Sequence, residues 1–190
     1  MAKQKNISSP ASVTETEATL QSFAEIAERV AATTKKLEKA ALLVAYFNQL
    51  SDADLARAAR YFAGHQFAMR DARTTNVGTS VLRAALSEVT NIDVDDLRPK
   101  YVRLGDAGEV AYEAICEAGR DHHSPQLTLA RTESLVEVLS QTRGTKNKQT
   151  ALEDVLKTAT ALEAKYLVKL LVGDLRIGLK EGLVEDAIAR

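Results

Sequence analysis

Apolar residues recur along most of this chain at intervals of three and four positions. This spacing places them on one face of an α-helix, whose period is 3.6 residues. The first two apolar stripes lie within residues 20–30 and 37–47, and others lie within 55–62, 81–89 and 110–118. The pattern predicts an amphipathic helix over each of these segments, with one face buried in a core.

The later part of the chain continues in the same way. Residues 135–139 lie within one predicted helix, and the cleanest stripe of all, over 152–162, runs on towards Leu171. The apolar helix is then cut by Gly173, and Gly178 opens a further helical segment. Glycine allows a positive φ and a close backbone approach, so the end of the chain is predicted to contain a tight corner between two helices.

Polar residues with known capping roles mark several helix ends. Ser51, which has an acidic residue three positions later, Asp93 and Thr128 each precede an apolar stripe, as N-caps do. Gly64 and Gly119 follow stripes, as residues that end helices do. These signals predict separate helices joined by short turns.

No segment alternates apolar and polar residues in the manner of a strand, and the stripes are not copies of one another. We therefore predict an all-α fold, an irregular bundle of roughly ten to twelve helices in two helical lobes with a shared core and no sheet. Residues 1–17 are polar and aperiodic and are predicted to form a flexible tail, which leaves 18–190 as the folded domain.

Composition narrows the possible functions. The chain is 45% hydrophobic and 27% charged, with a formal net charge of −1, so its overall charge makes no case for nucleic-acid binding. Any such site has to be a local patch. The single cysteine, Cys116, lies in an apolar pattern, so we expect it to be buried in a protein of a reducing compartment. No apolar stretch is long enough to span a bilayer, so we expect a cytoplasmic location without a membrane partner. We also expect a monomer.

The sequence offers no convincing catalytic or metal site. His122 and His123 are adjacent, but they have no cysteine or carboxylate at ligand spacing. Asp93 and its acidic neighbours are consecutive, and they are expected to interact with a helix N-terminus. No phosphate-binding Gly-rich loop or nucleophile elbow is present, so we predict no catalytic residue, metal or cofactor for this chain itself.

Three basic clusters remain. The first contains five arginines opposed in their interval only by Asp71, the second is the run from Arg143 to Lys148, and the third is Arg176 with Lys180 nearby. The arginines of the first cluster are Arg57, Arg60, Arg70, Arg73 and Arg83. Each cluster could be a solvated or ion-paired face. Together they place cations at glycine-containing helix ends, which suits sequence-independent binding to the phosphates of duplex DNA. Aromatic residues that could stack on single strands are scarce at these clusters, so duplex is favoured over single-stranded DNA.

Several motifs, in order along the chain, resemble the N-terminal DNA-binding domain of ATP-dependent DNA ligases. The closing run Leu175-Arg176-Ile177-Gly178-Leu179 is similar to the last signature of that domain. Earlier landmarks are Thr34-Lys35-Lys36-Leu37, Phe62-Ala63-Gly64, Asn76-Val77-Gly78, the run Gly105-Asp106-Ala107-Gly108-Glu109-Val110-Ala111, Leu127-Thr128, Gly144 to Lys148, and Glu163 to Leu167. The resemblance covers about Phe23 to Ala189. One departure is Asn76, where many relatives have glycine; asparagine also tolerates the left-handed conformation.

The resemblance implies an all-α domain that lies across the minor groove on both sides of a nick and clamps the duplex together with a catalytic and an OB domain. It implies a ligase that uses ATP and Mg²⁺ in replication, repair or recombination. The family's reactive lysine lies in a Lys-x-Asp-Gly motif, which this chain lacks, so we expect no nick sealing by the chain alone.

The resemblance also assigns DNA contacts to three places. The family's minor-groove contact corresponds to Gly173, Arg176, Gly178 and Leu179, with Lys180 beside them. A second contact, to phosphate, corresponds to Gly144, Thr145, Lys146 and Lys148. A third contact corresponds to Gly78, with Thr79 and Arg73. Leu175, Ile177, Leu167 and Tyr166 are expected to support the corner from the core. Two alternatives remain open: a helical protein-interaction module without a nucleic-acid role, and a helix-hairpin-helix repair factor unrelated to ligases.

Overall fold

A computed structural model of the protein describes residues 17–120 and 124–190. Within those residues the chain forms ten α-helices and no sheet, and an isolated antiparallel bridge joins Thr19 to Thr128. The helices are α1 Leu20–Ala31, α2 Lys36–Phe47, α3 Asp52–Phe62, α4 Thr79–Thr90, α5 Val94–Leu104, α6 Ala107–Glu117, α7 Leu129–Gln141, α8 Thr145–Leu156, α9 Ala161–Val172 and α10 Glu181–Ile188. The all-α prediction is confirmed. The predicted tail, apart from Glu17, and the histidines His122 and His123 lie outside the described residues.

The predicted N-caps are present. The Ser51 side chain accepts a hydrogen bond from the backbone N–H of Asp54, Asp93 accepts one from Asp95, and Thr128 accepts one from Arg131. Each satisfies a backbone donor that has no partner within its helix.

Two helix boundaries differ from the sequence prediction. The apolar stripe over 152–171 is divided between α8 and α9, because Thr160 and Glu163 form a capping box that starts α9. The last helix begins at Glu181, after Lys180 as its N-cap, and Gly178 belongs to the preceding turn.

Helix α9 lies at the centre of the molecule, and ten of its residues are buried. It packs against α1 on one side and α6 on another, while α10 packs against α2 and α3, and α4 packs against α5, α6 and α8. One hydrophobic cluster runs through all ten helices. The two groups, α1–α3 with α10 and α4–α8, therefore share a single core through α9.

Helices α6 and α9 approach each other closely at Gly108. A Cβ atom on this residue would lie 2.7 Å from the carbonyl oxygen of Lys165 and 2.5 Å from Cγ of Lys169. Only a residue without a side chain fits at that distance, so Gly108 sets the separation of the two helices. In the described residues no helix is both long and apolar enough to cross a membrane.

Candidate nucleic-acid interface

The C-terminal end of α9 leads into a tight turn over residues 173–178. Three residues of the turn are left-handed, namely Gly173 at φ 74°, Arg176 at φ 53° and Gly178 at φ 60°. Between them Leu175 and Ile177 are buried in the core, as the sequence predicted. The apolar side chains fix the turn from below, and Arg176 is left at the surface.

The Arg176 side chain is half exposed and is held by hydrogen bonds on two sides. Its Nε donates to Oδ2 of Asp174 at 2.9 Å, and Nη1 donates to the carbonyl oxygen of Gly105 at 2.5 Å. The carboxylates of Asp174 and Asp106 raise the pKa of the guanidinium above its ordinary value. Arg176 is therefore a cation in a defined position that keeps an exposed edge.

The other support of the turn comes from the start of α6. Asp106 caps that helix by accepting hydrogen bonds from the backbone N–H groups of Gly108 and Glu109, and it forms an ion pair with buried Lys169 at 2.5 Å. Burial of Asp106 opposes ionisation, but these bonds outweigh it and lower the pKa of the carboxyl group. The motif at 105–111 thus has a structural explanation, since it places the Gly105 carbonyl against Arg176.

Two further residues that hold this region were not singled out from the sequence. Buried Lys39 of α2 donates from Nζ to the carbonyl oxygens of Ile177 and Gly178. Gln66 donates to the carbonyl oxygens of Leu170 and Leu171, which are end groups of α9. A lysine within the apolar stripe of α2 was the available signal for Lys39, but its partners are 138 and 139 residues away.

Helices α4 and α8 run side by side in the same direction. Their starts are joined by Lys148, whose Nζ donates to the carbonyl oxygen of Thr75, and their ends are joined by Arg120, which donates to the carbonyl oxygens of Val89 and Lys157. Gly78 and Gly144 are the N-caps, and neither supplies a side-chain cap. Two helix N-termini, each with a positive dipole end and no side-chain cap, therefore lie at the same end of this helix pair.

The residues around these N-termini divide into exposed and buried ones. Thr79, Thr145 and Lys146 are exposed, whereas Lys148 is buried and its ammonium group is bound to the loop before α4. In this structure Lys148 therefore supports the backbone next to Gly78. In the same loop Asn76 adopts a left-handed φ of 48°, the conformation that the sequence analysis expected asparagine to tolerate.

The first basic cluster is less positive than its sequence interval suggests. Arg73 pairs with Asp71 at 2.6 Å and with Glu137 of α7, and Glu133 of α7 pairs with both Arg57 and Arg60. Asp71 is the only acidic residue within that sequence interval, but carboxylates from outside it also oppose the arginines. Glu133 and Glu137 come from α7, more than 60 residues further along, and Asp54 of α3 pairs with Arg57 at 2.9 Å.

The segment between α3 and α4 connects the predicted contacts. Arg73, Thr74 and Gly173 line one concave surface together with Gly64 and the residues that follow it, and Thr75 is bound to Lys148. On the other side of the turn, Leu179 is partly buried and Lys180 is exposed. The structure thus packs together the two helices that begin after Gly78 and Gly144, and it places Arg73 and Gly173 on one concave surface. Across residues 17–120 and 124–190, no cluster of histidine, cysteine, aspartate or glutamate side chains could hold a metal ion.

Comparison with known proteins identifies the family of the chain. Residues 19–189 match the family model described as DNA ligase N terminus. A probable DNA ligase of Koribacter versatilis is 34% identical over 171 residues, covering 90% of this chain and 29% of the relative. A probable DNA ligase of Opitutus terrae is 34% identical over 88% of this chain and 20% of its own length, and a DNA ligase of Natronomonas pharaonis is 30% identical over 88% and 33%.

The chain spans about a third or less of each of these relatives. The family match covers nearly all the described residues, including the 173–178 turn and the starts of α4 and α8. The chain belongs to the DNA ligase N-terminus family.

Proposed function

We propose that this chain is the DNA-binding domain of an ATP-dependent DNA ligase, and that it grips duplex DNA around a nick through the minor groove and the phosphates without reading base sequence. The observation that carries the proposal is the 173–178 turn. It presents a half-exposed arginine from a backbone fixed by buried side chains and by hydrogen bonds from Lys39, and the arginine side chain itself donates to the carbonyl oxygen of Gly105. An arginine held in this way can enter a narrow groove or contact phosphate at little entropic cost.

The paired starts of α4 and α8 provide a second, sequence-independent contact. Gly78 and Gly144 leave the N–H groups of both helices accessible, and exposed Thr79, Thr145 and Lys146 surround them. Backbone donors and helix dipoles bind phosphate oxygens without distinguishing bases. In this proposal Lys148 acts through the Thr75 carbonyl, and Arg73 contributes only the part of its charge that Asp71 and Glu137 leave uncompensated.

We assign the chemistry of ligation to other domains of the ligase. The chain has no Lys-x-Asp-Gly motif, the motif in which the resemblance places the reactive lysine of the family. We propose that a catalytic and an OB domain supply these functions, that nicked duplex DNA and those domains are the partners of this chain, and that it acts as a cytoplasmic monomer in replication, repair or recombination.

The test is a salt titration of binding to a nicked duplex, an intact duplex and a single strand, followed by fluorescence anisotropy. Duplex affinity is expected to fall steeply with salt, by about 0.9 in log–log slope for each phosphate contact. Arg176→Ala is expected to weaken duplex binding about tenfold, or about 1.4 kcal/mol, with unchanged helicity.

Arg98→Ala is the matched control, since Arg98 is an exposed arginine on α5, away from the 173–178 turn and from the starts of α4 and α8. It should retain wild-type affinity. Absence of duplex binding even at low salt would contradict the DNA-binding proposal and favour a helical protein-interaction module. Equal losses in both variants would remove the Arg176 turn from the interface.

A further inference from the structure

Lys39 occupies an unusual position for a lysine. It lies on the buried face of α2, next to Ala40, and only 6% of its surface is exposed. Its Nζ donates hydrogen bonds of 2.8 Å to the carbonyl oxygens of both Ile177 and Gly178. An ammonium group is costly to bury, so its acceptors must be held in place as firmly as the lysine itself.

The two acceptors belong to the part of the chain that lacks regular secondary structure. Residues 174–180 lie between α9 and α10, where no helix ladder satisfies the backbone carbonyls. The left-handed residues Arg176 and Gly178 flank Ile177, and both carbonyl groups of the Ile177–Gly178 segment point to one donor. Lys39 therefore closes the turn from the α2 side, as the Gly105 carbonyl does from the α6 side.

Gly178 and Lys39 also fit each other sterically. A Cβ atom at Gly178 would lie 3.2 Å from Nζ of Lys39, and the positive φ disfavours any side chain there. The glycine thus permits both the turn and the close approach of the ammonium group. Gly178 therefore has a structural role in the turn, whether or not it also contacts a ligand.

We infer that Lys39 is a positioning residue for the DNA-binding turn: it fixes the Ile177 and Gly178 carbonyls and so determines where Arg176 is presented. This role does not require contact between Lys39 and DNA, because the lysine is buried beneath the turn. The effect on DNA rests on the proposed function. The effect on the turn itself rests on the contacts of Lys39 alone.

The experiment uses Lys39→Met, which keeps an unbranched side chain and removes the donor, together with Arg176→Ala and the double variant. Backbone ¹⁵N relaxation without DNA is expected to show larger amplitudes for amides 174–180 in Lys39→Met and unchanged amplitudes in α9. Duplex affinity is expected to fall about tenfold, as for Arg176→Ala, and the salt slope to fall by about one. The double variant should bind no more weakly than the weaker single variant, since both changes remove the same contact.

Lys36→Met is the matched control, because Lys36 is an exposed lysine on the same helix that lines the groove beside the turn. It should leave the relaxation of 174–180 unchanged, and any loss of affinity should add to that of Arg176→Ala. Gly178→Ala disturbs the same contact from the side of the turn, because the added Cβ would lie 3.2 Å from Nζ of Lys39. This variant is used in place of Lys39→Met if Lys39→Met does not fold.

Unchanged amides 174–180 in Lys39→Met would overturn the positioning role, whether or not the protein binds DNA. Additive losses of affinity with Arg176→Ala would overturn it too, because Lys39 would then act independently of the arginine. If the wild-type chain binds no duplex, the proposed function fails while the relaxation measurement still decides the role of Lys39.

Discussion

Gly108 determines how closely two helices approach, although it carries no side chain. The space that a Cβ would occupy is filled by the backbone of Lys165 and the side chain of Lys169. The same two lysines form ion pairs with Glu109 and Asp106 at the start of α6. A single glycine thereby allows the contacts that hold the Gly105 carbonyl against Arg176.

Gly108→Ala is expected to lower the free energy of unfolding by about 1–3 kcal/mol, because α6 and α9 must separate to admit the methyl group. Gly182→Ala is the matched control, since a Cβ on this glycine of α10 meets nothing within 4 Å. It should be neutral or stabilising by up to about 1 kcal/mol. Urea unfolding followed by circular dichroism measures both; equal stability of the two variants would contradict the close approach.

At the scale of elements, the pairing of α4 with α8 places two helix starts together. The pairing is fixed at both ends by long side chains, with Lys148 reaching Thr75 and Arg120 reaching the last turn of α4 and the end of α8. These bonds satisfy backbone carbonyls outside the helix ladders. The arrangement separates buried residues that hold the two helices together from residues that are exposed at their starts.

Lys148→Met and Lys146→Ala should separate those two roles. Removing the Lys148 ammonium leaves the Thr75 carbonyl without this donor, and the free energy of unfolding is expected to fall by about 1–3 kcal/mol. Lys146 is exposed, so its replacement should change stability by less than about 0.5 kcal/mol and reduce the salt slope of duplex binding by about one. Thermal unfolding and the salt titration measure the two effects. A stability loss in Lys146→Ala alone would reverse the assignment.

Elements were predictable from the sequence to the extent that their signals are local. Apolar spacing and the caps at Ser51, Asp93 and Thr128 lie within one or two helical turns, and they gave the correct helices. The division between α8 and α9 also had a local signal, Thr160 with Glu163, but the unbroken apolar stripe obscured it.

The contacts of the candidate site could not be predicted in the same way. Lys39 binds carbonyls 138 and 139 residues away, and Arg73 pairs with a glutamate 64 residues away. Apolar spacing shows that a residue lies on a buried face, but it does not show which distant backbone that face meets. The family resemblance indicated the 173–178 turn and the starts of α4 and α8 as candidate contacts, and the structure shows which distant residues support them.

At the scale of the molecule, ion pairs join helices that are distant in sequence across the single core. Glu28 of α1 pairs with Lys165 of α9, Asp106 pairs with Lys169, and Glu133 of α7 pairs with the arginines of α3. Burial raises the pKa of each of these carboxyl groups, but the hydrogen bonds and charges of their partners outweigh it and lower the pKa below its ordinary value. The net charge is −1 and several cations are engaged in such internal pairs, so binding to a polyanion has to depend on local patches of exposed cations.

These lowered pKa values predict a loss of stability in acid. A carboxyl group whose pKa is lower in the folded state stabilises the protein above its unfolded pKa, and this contribution disappears as the pH falls through the folded value. The ordinary value is 3.8 for Asp106 and 4.5 for Glu28, so the free energy of unfolding should be level above about pH 5.5 and fall progressively below about pH 4.5.

The variant Asp106→Asn isolates one term of this dependence, because asparagine still caps α6 but cannot ionise. It should be less stable than the wild type at pH 7, and the difference should shrink as the pH falls below the ordinary pKa of aspartate towards the lowered pKa of Asp106, where the wild type loses this charge as well. Urea unfolding at a series of pH values measures the difference, with Asp52→Asn, at an exposed position in the first turn of α3, as the control. A difference that stays constant between pH 7 and pH 3 would show that Asp106 stabilises the start of α6 as a hydrogen-bond acceptor alone, and that its charge contributes nothing to the position of Arg176.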